Sequence, residues 1–436
     1  MKTKSYIFAL MVSLLGLASC ENMDYPDRFR PTEGVPTVYS IRYADKDQTI
    51  SSAFMKEVIC ILGENLRSVN QVWFNDQQAT LNTSYITNNT LLVEVPGSLP
   101  TEKTDKIYLK TKAGQTVTFD FKVLAPAPKL TDMSFEFAEP GSTVTMYGNF
   151  FVEPLTVTFA GGAEAKVSNV TMTSMDVVIP EGAQPGKVKV ETESGVCQSN
   201  FNYKDDRGLL FDFDGKTGLG NHGWHNMVIT SDETSFDGNF LLLGNSKLDA
   251  DASWNDGAFS FEYWPGDYQN PETYANPIGV PLSFLTDFSD VENMCLKFEM
   301  YIPSSNPWMA GALQVIPAPV TVVSYGDAGV VDIFGNVLGG SNNKYISGEG
   351  AAPARRALYR PWEASGSYDT GDKWVTVTIP MNSSTFSYDL NGNVIDGVYN
   401  ADSWDSLVLF VVGGGVTGTE CTPIIKIDNI RAVPNK

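Results

Sequence analysis

The sequence predicts an all-β protein, and three observations carry that prediction. Short alternating runs rich in Val, Thr, Phe and Tyr are separated by Gly, Pro, Asn and Asp, and long stretches of helical periodicity are absent. A block of four such runs occurs twice at a spacing of roughly 85 residues, each copy the size of a small sandwich. Beyond the second copy, residues 207–436 hold seven of the eight Trp residues, at 224, 254, 264, 308, 362, 374 and 404. The prediction is therefore two tandem small β-sandwiches followed by a larger, jelly-roll-like one whose first and last strands lie near each other.

The N-terminal residues carry an address. Lys2 and Lys4 precede an apolar stretch from Tyr6 to Leu17 that is short for a membrane span, which marks residues 1–19 as a cleaved export signal. Leu17-Ala18-Ser19-Cys20 resembles the lipobox of bacterial lipoproteins, which implies lipidation at Cys20 and makes residues 20–34 a lipidated tether. The acid-rich segment from Glu21 to Asp27 is similar to signals that send Bacteroidetes lipoproteins to the outer surface. Composition bounds the rest. A chain of 436 residues with 42% hydrophobic content supports several packed cores. A net charge of -21 excludes nucleic acid as a partner and leaves the lipid, rather than charge, to hold an anionic membrane. Cys60, Cys197, Cys295 and Cys421 are far apart in sequence, so no zinc or redox pair is supported.

The repeat fixes the spacers. From 35 to 124 the runs are Val58–Leu66, Gln71–Phe74, Leu91–Pro96 and Ile107–Gly114; from 125 to 206 they recur as Val144–Phe150, Thr156–Phe159, Met175–Pro180 and Val188–Gly195. The Gly in each first run suits a positive-φ turn, and the Pro ends a strand by removing a donor. The order of these elements resembles the IPT/TIG immunoglobulin-like family. Neither copy holds clustered His, Cys or paired acids, so both read as spacers between the lipid and residues 207–436.

Within residues 207–436, FSFEYW at 259–264 decides most. In an extended strand Phe259, Phe261 and Tyr263 share one face, while Ser260, Glu262 and Trp264 share the other. The Phe pair selects the core side. That leaves Trp264 on the polar face beside Glu262, just before Pro265-Gly266 and the polar Asp267-Tyr268-Gln269-Asn270. An indole that stacks on the apolar face of a pyranose, with carboxylates and amides for its hydroxyls, is the chemistry of sugar binding. Trp224 and Trp308 fall in loop sequences and join the candidate site. Trp374 shares one strand face with Thr376 and Thr378 and is expected to pack against a sheet, while Trp362 and Trp404 are open between core and ligand.

The lipobox, the tandem IPT/TIG-like copies, Ala357–Trp362, Tyr368–Thr370, Trp374–Pro380 and Ile427–Pro434 together resemble the surface glycan-binding proteins of Bacteroidetes polysaccharide utilisation loci, nearest the xyloglucan-binding type. The resemblance implies non-catalytic capture of a plant or microbial β-linked polysaccharide by an aromatic platform. It also implies an outer-membrane, surface-exposed location and a neighbouring Sus-type transporter and surface glycosidases as partners. Its platform has an adjacent Tyr-Trp pair, matched by Tyr263-Trp264, and an upstream Trp, for which Trp224 and Trp254 compete. Periodicity buries Tyr263 and the resemblance exposes it. The glycan-binding set is thus Trp224, Glu262, Tyr263, Trp264, Asp267 and Trp308. No cofactor is required; Asp212, Asp214 and Asp428 supply oxygens for a structural Ca2+. Two other classes stand against this reading. One is an adhesin or structural lipoprotein with a protein partner; the other is a glycoside hydrolase, for which no carboxylate pair has a distinctive spacing.

Overall fold

A computed structural model describes residues 34–217, 228–263, 280–319, 330–331, 337–338 and 354–435. It is all-β, with two Ig-like sandwiches followed by a larger one. The described residues form two compact units: the first sandwich belongs to one, and the second sandwich and the larger C-terminal sandwich to the other.

In the first sandwich, Thr37–Tyr43, Val58–Glu64 and Thr90–Glu94 make one sheet. Gln77–Ala79, Val69–Phe74, Lys106–Thr111 and Thr116–Asp120 make the other. Alternate residues meet between them, so that Ile59, Ile61, Val72, Phe74, Leu91, Ile107 and Leu109 form the core. The second sandwich repeats the plan with Lys129–Met133, Thr143–Asn149, Ser174–Val178 and Lys166–Ser168 against Leu155–Ala160, Gln184–Thr192 and Gly195–Tyr203. Its core is built on Val144, Met146, Val157, Phe159, Met175, Val177, Val188 and Val190.

The turn shared by the two copies has a different cause from the one its sequence suggests. Neither Gly63 nor Gly148 takes a positive φ; the residues that do are Asn65 and Phe150, at 54° and 62°. Each Gly is instead required by close backbone approach. A Cβ at Gly63 would lie 1.8 Å from the Thr37 carbonyl oxygen, and one at Gly148 would lie 1.9 Å from that of Lys129.

The C-terminal sandwich pairs a six-stranded sheet with a four-stranded one. Val228–Thr230, Phe240–Gly244, Ile424–Pro434, Met294–Tyr301 and Val375–Pro380 lie in that order, and Leu209–Phe211 pairs with Ile424–Pro434, which puts the first and last strands side by side. The smaller sheet orders Ser260–Tyr263, Ser406–Val412, Ala312–Ala318 and Ala357–Tyr359. Phe211 of the first sheet meets Phe261 and Tyr263 of the second at 5.0 and 5.2 Å, edge to face, so these rings lie in the layer between the sheets. Three strands here, Met294–Tyr301, Ala312–Ala318 and Ser406–Val412, are buried at every position, so both sheets are covered on their outer faces as well.

The second sandwich closes the outer face of the six-stranded sheet with a buried ion network. Glu136 accepts from Lys297 Nζ at 2.5 Å and from Arg431 Nη2 at 2.8 Å. Arg431 Nη1 donates to Glu299 at 2.8 Å, and Thr376 donates its hydroxyl to Glu299 at 2.8 Å while accepting from the Glu136 amide at 2.8 Å. Two carboxylates and two cations balance, which is the condition under which buried charge is tolerated. Burial pushes the Glu299 carboxyl upward, and the bonds from Arg431 and Thr376 pull it back. Beside this network Trp374 packs with Phe236, Phe240 and Tyr301, its indole N–H donating to the Thr234 carbonyl at 2.6 Å.

Candidate functional site

With one face of the C-terminal sandwich closed by the second Ig-like domain, the outer face of the four-stranded sheet is the place to look for a ligand surface. Its cross-strand register places Phe410 between Ser260 and Gln314, and Val408 between Glu262 and Ile316. Trp254 stands edge-on to Phe410, with ring centroids 4.8 Å apart and planes at 89°. It is 41% exposed, whereas Trp308, Trp362, Trp374 and Trp404 are all buried. Among the described Trp residues of the C-terminal sandwich, Trp254 is thus the one with a face open to a ligand.

The loop that carries Trp254 is fixed at both sides. Ser253 N–H donates to Asp249 at 2.9 Å, Gly413 N–H to the Ala252 carbonyl at 2.9 Å, Gly418 N–H to the Ala250 carbonyl at 2.7 Å, and Thr417 to Asp251 at 2.9 Å. The Ser253 amide, followed by its hydroxyl, holds the Asp249 carboxyl below its usual range. Under the ring the sheet is equally fixed. Gln314 donates to the carbonyls of Leu390 and Val412 at 2.9 and 2.8 Å and accepts from Arg356 Nη1 at 2.7 Å, all three bonds fully or largely buried. A ring held this way loses little conformational entropy on stacking.

The other candidates fall differently. Trp308 is 0% exposed and donates its indole N–H to the Ala310 carbonyl at 2.5 Å, so it is a core residue and not a stacking one. The loop sequence before it misled, because Trp308 pairs as an isolated bridge with Tyr368 and turns inward. Glu262, expected on an open polar face, is 2% exposed. Phe259 ends a short helix, Asp256–Phe259, and the strand begins only at Ser260, with Glu262 opposite Val408 on a covered face. Tyr263 is 2% exposed and its hydroxyl donates to the Val280 carbonyl at 2.6 Å; burial pushes the phenol upward. The alternation therefore describes Tyr263 better than the resemblance does. Trp224, Trp264 and Asp267, like Cys20, lie outside the described residues.

Asp212, Asp214 and Asp428 each serve local backbone: Asp212 accepts from Lys216 N–H at 3.0 Å, Asp214 from Asn239 N–H at 2.7 Å, and Asp428 from Asn429 N–H at 2.7 Å. Among the described residues no group of three or more His, Cys, Asp and Glu side chains is placed to hold a metal ion. Burial is the main reason the Asp428 carboxyl rises to about 9, with the Asp214, Glu299 and Asp237 carboxylates adding to it.

The family model described as surface glycan-binding protein B xyloglucan binding domain matches residues 203–434. The chain belongs to this family. A surface glycan-binding protein B of Prevotella bryantii, known as a crystal structure, is 41% identical over 92% of this chain and 99% of its own, with a TM-score of 0.76. An IPT/TIG domain-containing protein of Bacteroides ovatus is 28% identical over 161 residues, which are 35% of this chain and 31% of that protein, so the match spans about a third of that curated relative's length. As a member of the surface glycan-binding protein B family, the protein binds glycans at the cell surface and is not an enzyme.

The sequence takes Trp224 for the upstream Trp of the resemblance and leaves Trp254 as its competitor. What separates Trp254 is its support by Phe410. The uninterrupted apolar run Ser406–Val412 hides which of its residues face outward, and only the register reveals it.

Proposed function

We propose that the protein captures a β-linked polysaccharide of the xyloglucan or β-glucan class and holds it for a neighbouring Sus-type transporter and surface glycosidases. The lipid on Cys20 anchors it to the outer membrane. Capture works by stacking pyranose faces on an aromatic platform to which Trp254 contributes, together with Trp224 and Trp264 from the adjoining loop sequences, with Asp267 among the hydroxyl partners. The observation that carries this reading is the rigid, half-exposed indole of Trp254 seated on Phe410. The description of the matched family supports the choice of xyloglucan as the first ligand to try.

The test is affinity electrophoresis and calorimetry on xyloglucan and mixed-linkage β-glucan. Truncating a central aromatic contact costs about 2 kcal/mol or more, so Trp254→Ala and Trp264→Ala should each weaken binding by at least about tenfold. Both proteins should keep their melting profile. Unchanged binding in both variants would remove the platform as drawn.

A further inference from the structure

The first Ig-like sandwich, which its sequence presents as a spacer, carries an aromatic strip of its own. Inward positions on its Gln77–Asp120 sheet are Val72, Phe74, Ile107 and Leu109, all buried. The alternate positions therefore face out. Register places Trp73 directly opposite Gln78 on one side and Tyr108 on the other, and Tyr108 opposite Thr118. One row across four strands thus reads Gln78, Trp73, Tyr108, Thr118, with the two rings half-buried at its centre and the amide and hydroxyl exposed at its ends. Gln71 accepts from the Trp73 indole N–H at 3.0 Å and fixes the ring, and Lys110 Nζ lies 4.6 Å from the ring centroid.

The repeat supplies an internal control. In the second copy the positions of Trp73 and Tyr108 are Thr158 and Lys189, by alignment of Gln71–Phe74 with Thr156–Phe159 and of Ile107–Thr111 with Val188–Thr192. The same plan folds with the same inward residues, Val157, Phe159, Val188 and Val190, and without the rings. The fold thus does not call for an aromatic pair at this place.

We propose that this face is a second, weaker contact strip for the β-linked polysaccharide bound by the C-terminal sandwich; it rests on that glycan-binding reading and adds a second domain to it. The chemistry fits that ligand. The strands that carry Trp73 and Tyr108 run about 4.8 Å apart, comparable to the rise of one β-linked hexopyranose, so the two side chains start from backbones spaced by about one sugar. The amides of Gln71 and Gln78, the Thr118 hydroxyl and the Lys110 ammonium bond to ring hydroxyls, and the flexible Lys110 stem swings off the indole as the sugar takes its place. A strip in one domain and a platform in another engage one long chain together, so the gain appears only with ligands long enough to reach both.

The experiment uses full-length protein, with xyloglucan polysaccharide and its short oligosaccharides as probes, in calorimetry and affinity gels. Trp73→Thr with Tyr108→Lys installs the residues of the second copy and preserves folding, which an unchanged melting temperature verifies. Loss of the second contact should weaken polysaccharide binding by about tenfold and leave oligosaccharide binding within about twofold of wild type. Trp73→Phe keeps a ring and should retain most of the polysaccharide affinity. Equal polysaccharide affinity in the double variant overturns the proposal, and so does a parallel loss for both probes, which signals a structural effect. A failure of the C-terminal platform reads out separately, as undiminished oligosaccharide binding in Trp254→Ala and Trp264→Ala.

Discussion

The outer faces of the two sheets in the C-terminal sandwich are both covered, one by a charged network shared with the second Ig-like domain and the other by a mostly apolar layer that includes the buried Glu262 and Gln314. The six-stranded sheet sends out Lys297, Glu299 and Arg431, and the second Ig-like domain answers with Glu136. The four-stranded sheet sends out Val408, Phe410, Ile316 and Gln314 and leaves Trp254 half-exposed above them. Charged hydrogen bonds are directional, so the first closure specifies one partner in one orientation. Apolar cover is non-directional and leaves a ring face for a ligand that offers C–H groups. One face is thus built to fix a neighbouring domain and the other to accept a repeating sugar surface.

The largest effect that would break this contrast lies in the ion network. Arg431→Ala leaves Glu136 and Glu299 buried without their shared cation, so unfolding free energy should fall by about 3–5 kcal/mol. Denaturant titration measures it. A loss below about 1 kcal/mol would mean that the carboxylates find water, and that the junction is not a dry, directional lock.

A smaller effect is expected under Trp254. Gln314→Met keeps the volume but deprives Arg356 Nη1 of its acceptor and the carbonyls of Leu390 and Val412 of a donor. The cost should be about 1–3 kcal/mol, with xyloglucan binding weakened because the sheet beneath the ring loosens. If stability falls and binding does not, the ring's seat is independent of the polar layer and the comparison of the two faces needs redrawing.

How much of this was legible in the sequence depended on what covers each strand. In the two Ig-like copies one sheet face meets the core and the other is largely open, so alternation survives in runs such as Lys106–Thr111, and class, repeat and inward residues could all be read. In the C-terminal sandwich the covered faces erase alternation. Met294–Tyr301 contains Lys297 and Glu299, which look like solvent-facing residues and are among the most buried charges in the chain. Their partner Glu136 is 161 residues from Lys297, a distance no local pattern spans. The same erasure placed Glu262 on an open face and Trp308 in an open loop, although packing buries both. Tyr263 is the opposite case, since its strand position alone predicts the burial that is found.

The most gradual effect concerns pH and lies beside the ion network. Asp428, on the same outer face as Glu299, has its carboxyl raised from 3.8 to about 9, chiefly by burial and then by the neighbouring carboxylates of Asp214, Glu299 and Asp237. Between those values the folded protein keeps a proton that the unfolded chain has lost. The folded state therefore binds more protons, and this group's contribution makes stability fall as pH rises through that window. Asn is the uncharged isostere and still accepts the Asn429 N–H through its side-chain oxygen. Asp428→Asn should thus flatten the decline in melting temperature between about pH 5 and about pH 8, with the gain in stability growing toward the upper end. Identical pH profiles for variant and wild type would show that Asp428 ionises freely. The outer face of the six-stranded sheet would then be wetter at that end than its closure by Glu136 requires, and the contrast between a dry charged face and a sugar-accepting apolar one would hold only around Arg431.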